Sequence, residues 1–99
     1  MLPHVIRFNG LAANHLYAEL LGATAGGFSA NGQPAADVLA DRVADLVAAA
    51  GLPRSLKDCG VSDTILHLLA EEANQQWTAR FNPRPVTEQD ILKLYQAAW

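Results

Sequence analysis

The residues able to hold a metal or move a proton are few. Three histidines, His4, His15 and His67, are the candidates, but their spacing matches neither an HExxH helix nor a paired-ligand pattern. His67 and Glu71 stand four apart, one helical turn, and together supply only half of a zinc site. Asp37, Asp41 and Asp45 recur at every fourth position. Magnesium and calcium sites draw oxygens from several backbone directions, so this row reads as a solvated acidic face relieved by Arg42. Cys59 has no local Cys/His signature and reads as a half-buried structural thiol. The run GATAGG has the glycines of a phosphate loop, but no strand precedes it and no lysine follows where one is needed, which leaves a flexible loop.

A second group is more suggestive. Trp77, Arg80, Phe81 and Arg84 interleave aromatic and basic side chains, a mixture that can stack on a flat ligand or clamp an anion. The plainer alternative is two core aromatics beside two solvent-facing arginines. Trp77, Phe81 and Arg84 are therefore candidate ligand-facing residues, while no residue is assigned to catalysis, cofactor binding or metal.

The elements that must position these residues are helical. Apolar residues recur at three- and four-residue steps and period-2 alternation is rare, so we expect an all-α, bundle-like domain of about five helices over residues 1–99. The first spans Leu2 to Phe8 and the second Ala12 to Leu21, with Leu16, Tyr17, Leu20 and Leu21 on one side and Gly22 as the stop. Residues 22–33 form the longest loop. Pro34 suits the first turn of a third helix to Ala50, striped by Leu39, Val43, Leu46 and Val47, with Gly51 as a left-handed cap. Ser55 to Cys59 make a single turn that Gly60 reverses. Ser62 caps a fourth helix to Ala79, burying Ile65, Leu66, Leu69, Ala73 and Trp77. Pro83 and Pro85 force a stiff link, and Thr87 opens a last helix, answered by Asp90 and stapled by Val86 on Ile91.

Composition narrows the function classes. Ninety-nine residues suffice for one core, burying on the order of 65% of the unfolded surface. Ten acidic residues against seven basic give a net charge of −3, which disfavours nucleic acid as a partner. The longest uncharged stretch is broken by Gly, Asn and Pro, so no membrane partner is expected. A start without a basic leader and a single cysteine favour a cytoplasmic setting.

The order of segments carries a resemblance. LPHVIRFN, then YAELLG, GLPRSLKDCGV, LAEEA and finally NPRPVTEQDILKLYQAAW resemble the C-terminal helical region of iron-containing alcohol dehydrogenases, with the maleylacetate reductase branch particularly similar. It extends over essentially the whole chain. In that family an NAD(P)-binding α/β domain and a metal held by one aspartate and three histidines complete the enzyme. The resemblance implies that these ligands lie upstream of LPHVIRFN, so that His4, His15 and His67 inherit no metal role. It also implies that the segment around WTARFNPRP approaches the substrate side of the cleft.

The resulting expectation is a non-catalytic helical domain or fragment with no cofactor of its own. Self-association into a homo-oligomer is expected through the face of Leu2, Val5, Ile6 and Phe8, because a helical region parted from its neighbours exposes apolar surface. The alternatives are a small ligand-binding module that uses an aromatic cleft, and the C-terminal piece of a split NAD(P)-dependent oxidoreductase joined by a separate nucleotide-binding domain.

Overall fold

A computed structural model describes residues 1–24 and 32–99. Among the described residues four α-helices follow one another: α1 (Leu2–Gly22), α2 (Ala35–Ala49), α3 (Leu66–Gln75) and α4 (Glu88–Ala98). Short 3-10 turns at Asp63–Ile65 and Trp77–Phe81 bracket α3. No strand occurs among the described residues. The all-α expectation holds, with four α-helices instead of about five. Most of the loop expected over 22–33 lies outside the described residues.

The difference in number arises at Asn9 and Gly10, where two expected helices are one. Glycine is about 1 kcal/mol less favourable than alanine inside a helix, so the local sequence favours a break. Tertiary contact overrides it: Asn9 is buried and hydrogen-bonded to Asn82, and a Cβ on Gly10 would stand 2.6 Å from the Ala36 Cβ. Gly10 is thus a point where α2 comes close to the α1 backbone. Ile6, Ala36 and Ala40 form the buried centre of this helix pair, flanked by Tyr17, Leu39 and Val43. Beyond it the expected stripes are only partly covered. Leu21 is buried, whereas Leu16, Leu20 and Leu46 are exposed.

Gly51 adopts φ +67° and closes α2 as expected, with the Leu52 amide donating to the Val47 carbonyl and the Gly51 amide to Ala48. The acidic row of α2 is relieved differently from expectation. Arg7 of α1 pairs with Asp37 and Asp41, while Arg42 donates to the Thr24 hydroxyl. Cys59 is exposed instead of half-buried.

The second helix pair has its own core, with Leu66, Ala70, Ile91 and Leu92 buried and Leu56, Leu69, Val86 and Tyr95 packed around them. Ser62 caps as expected, accepting from the Thr64 amide, although the first turn is 3-10. Gln76 then leaves the helical region at ψ 129°, ending α3 before Ala79. Trp77, expected to face inward, is 68% exposed. No local breaker stands at Gln76; the turn brings Asn82 back to Asn9.

Thr87 opens α4 with a full capping box: its hydroxyl accepts from the Asp90 amide at 3.2 Å, and the Asp90 carboxylate accepts from the Thr87 amide at 3.1 Å. The far end is tied down too. The Leu56 amide donates to the Ala98 carbonyl, and the Trp99 indole N–H donates to the Val61 carbonyl.

Candidate functional site

The apolar residues left between the two helix pairs form an open groove of about 450 Å³. Val5 and Phe8 of α1 form one wall, and Leu94 and Tyr95 of α4 another; Phe81 and Pro83 of the connecting link close the end. The groove exists because α1 and α4 touch little and the stiff link holds them together. Such concave, mainly apolar surface with a few fixed polar groups is the usual form of a small-molecule site.

The sequence candidates divide among three settings. Phe81 lines the groove and is 75% exposed. Trp77 stands beside it, edge-to-face, with ring centroids 5.5 Å apart and planes at 85°. Arg84 does not enter the groove. Its guanidinium lies 4.0 Å over the Phe8 ring and donates to the Phe8 carbonyl at 2.9 Å. With Arg80, Asn74 and Asn82 it lines a second, more polar hollow of about 500 Å³. Asn82, Pro83 and Val86 border both hollows, so the link separates an apolar face from a basic one.

The four candidates for self-association are not one exposed face. Leu2 is exposed, Val5 lines the groove, and Phe8 is half-buried beneath Arg84. Ile6 is buried against Ala36 and Ala40, which withdraws it from any surface role. The single-turn spacing of these residues placed them together only if the helix carried them free of α2.

The polar residue that sequence reasoning missed is Asn9. Its side chain donates to the Asn82 oxygen at 2.9 Å, and the Asn82 amide returns the bond at 2.8 Å. The Asn82 amide also donates to the Arg84 carbonyl, which fixes its orientation. An asparagine amid apolar helix positions was the available signal.

The histidines stand apart: His4 and His15 are on α1 and His67 is on α3. Burial, followed by the nearby amino terminus and Arg7, holds His4 below its ordinary value of 6.5. Among the described residues, no group of three or more His, Cys, Asp or Glu is placed to hold a metal ion. None of the described helices is long and apolar enough to cross a membrane.

Comparison with known proteins gives this arrangement a place. The Fe-containing alcohol dehydrogenase family, C-terminal, matches residues 1–99. The chain is 32% identical over 102 residues to a 1,3-propanediol dehydrogenase of Citrobacter freundii, covering 100% of this chain and 26% of that protein. The lactaldehyde reductase of Escherichia coli (strain K12) matches with the same identity and coverage. A crystal structure of 1,3-propanediol oxidoreductase superposes with a TM-score of 0.81 at 34% identity, over 99% of this chain and 26% of that one. The chain thus spans about a quarter of the length of these relatives. The iron in the family's name finds no donor set among this chain's described residues, and no metal step is assigned to them. With matched sequence along its entire length and the helical arrangement shared with a solved relative, the chain belongs to the iron-containing alcohol dehydrogenase family and corresponds to its C-terminal helical domain.

Proposed function

We propose that this helical domain forms one wall of the substrate cleft in an NAD(P)-dependent alcohol dehydrogenase and is non-catalytic by itself. The observation that carries the reading is the apolar groove ending at Phe81, on a chain matched throughout by the family. Hydride transfer needs a protein that sets the reactive atom of the cofactor against the substrate. The groove contributes apolar contact to that geometry, while cofactor and metal are held by other parts of the enzyme.

The relatives' names favour short diols and hydroxyaldehydes as substrates, which fit an apolar wall with few polar groups. Maleylacetate is the alternative, since its carboxylates would be drawn to Arg80 and Arg84 in the basic hollow. Apart from the remainder of the cleft, the chain self-associates through uncovered apolar side chains such as Leu2, Leu11 and Phe81.

The test is a chimera in which this chain replaces the matching C-terminal quarter of the Citrobacter 1,3-propanediol dehydrogenase. The chimera is expected to oxidise 1,3-propanediol with NAD(P), and Phe81→Ala to raise KM about tenfold, as loss of one apolar contact at the groove's end implies. The 99-residue chain alone is expected to show no turnover with ferrous iron and NAD(P)H. Turnover by the isolated chain, or an unchanged KM for the Phe81→Ala chimera, would refute the proposal.

A further inference from the structure

The two helix pairs have separate cores, so whatever joins them decides the shape of the groove between them. Two polar ties do so. Asn9 and Asn82 exchange side-chain amide hydrogen bonds at 2.9 and 2.8 Å, across 73 residues of sequence. Asn9 is the one buried polar residue among those described, at 4% exposure. Next to this pair, Arg84 covers the Phe8 ring and donates to the carbonyl of Phe8 in the α1 backbone.

The ties lie at the groove's edge. Phe8 and Asn82 both line it, and Asn82 directly follows the Trp77–Phe81 turn that carries the exposed aromatic pair. From these positions we infer that Asn9, Asn82, Arg84 and Phe8 form a positioning clamp that holds the Trp77–Phe81 turn against α1 and sets the groove's aperture. The Asn82 carbonyl oxygen and amide are both used within the clamp, and its amide holds the Arg84 carbonyl as well. Removing that side chain leaves both polar ends of a buried Asn9 without their partner, so the loss falls on the junction before it reaches either core.

The inference deepens the cleft-wall reading and rests on it for the role of the turn, but the clamp is testable without a substrate. Amide hydrogen exchange is followed by mass spectrometry on the intact chain, comparing wild type with Asn82→Ala and with Thr87→Ala. Thr87→Ala is the control because it removes a helix cap outside the clamp. Asn82→Ala is expected to speed exchange roughly tenfold over residues 2–13 and 77–86 relative to α3, as a buried unpaired amide implies. In Thr87→Ala the increase is expected to centre on the first turn of α4.

Arg84→Lys, which keeps the charge but loses the planar stack, serves if Asn82→Ala fails to fold, and is expected to give a smaller rise over the same segments. A rise spread evenly over all helices, or none over residues 77–86, overturns the clamp. If exchange follows the clamp pattern but Phe81→Ala leaves the chimera's KM unchanged, the clamp stands and the substrate reading falls.

Discussion

Gly10→Ala probes a close approach between α1 and α2. The added methyl would meet the Ala36 Cβ at 2.6 Å, well inside the 3.4 Å at which ordinary contact begins. Neither side can yield by rotating a side chain, because both atoms are fixed to helical backbone. Ala36 and Ala40 are 3% and 0% exposed, so the contact with α1 is closely packed and the two helices must separate to admit the methyl. Helix propensity favours the substitution by about 1 kcal/mol. Overpacking of this kind costs roughly 1–3 kcal/mol, and the upper part of that range applies to a clash between backbone-fixed groups. The net expectation is a loss of about 1–2 kcal/mol. Urea denaturation followed by circular dichroism measures it, with Gly22→Ala as the internal control. A methyl added at Gly22 would have no neighbour within 4 Å, so that substitution should stabilise the chain by up to about 1 kcal/mol. Adding Ala36→Gly moves the methyl from one helix to the other and should recover much of the loss through a coupling of about 1 kcal/mol. A neutral or stabilised Gly10→Ala would refute the reasoning, since α1 and α2 would then part without penalty.

Leu66→Ala opens a cavity in the core shared with Ile91 and Leu92 and should cost about 2–5 kcal/mol in the same urea assay, enough to threaten the fold of so small a domain. Thr87→Ala should cost about 1 kcal/mol near neutral pH. Hydrogen bonds from the Thr87 side chain and then its backbone amide hold Asp90 below its ordinary value of 3.8. The stabilisation linked to that shift is present above 3.8 and is lost as pH falls through the lower folded value, so wild type and Thr87→Ala should converge in acid. His4, depressed chiefly by burial, binds its proton better when unfolded. Stability should therefore fall as pH drops from 6.5 through the folded value, and His4→Gln should flatten thermal melts across that window. Arg7→Ala removes an exposed pairing with Asp37 and Asp41 and should change stability by less than about 1 kcal/mol, with the difference shrinking in high salt.

The capped ends of helices were the most legible part of the chain. Thr87 and Asp90, Ser62, and Gly51 act on amides and carbonyls within a few residues, so their side chains and torsions carry the information locally. Helix interiors were less legible. Asn9–Gly10 contains weak helix formers and gives a local reason to stop, yet the partners that keep the helix intact, Asn82 and Ala36, are distant in sequence. Trp77 shows the converse. Its spacing from Leu66, Leu69 and Ala73 fits an inward stripe only while the helix persists, and the extended Gln76 removes that condition. The candidate site was legible in part: Phe81 reaches the groove, Trp77 packs beside it, and Arg84 is diverted to α1.

By itself the sequence determined that the chain is helical, where three of its helices are capped, and which family it resembles. Hydrophobic period and capping chemistry act over a few residues, and the segment order from LPHVIRFN to NPRPVTEQDI needs no coordinates to be read. The tertiary structure alone decided that α1 is continuous, that Ile6 is buried while Trp77 is not, and that two asparagines far apart in sequence meet at the groove's edge. Those outcomes depend on how two helix pairs meet, and the free energy of a shared contact belongs to neither segment alone.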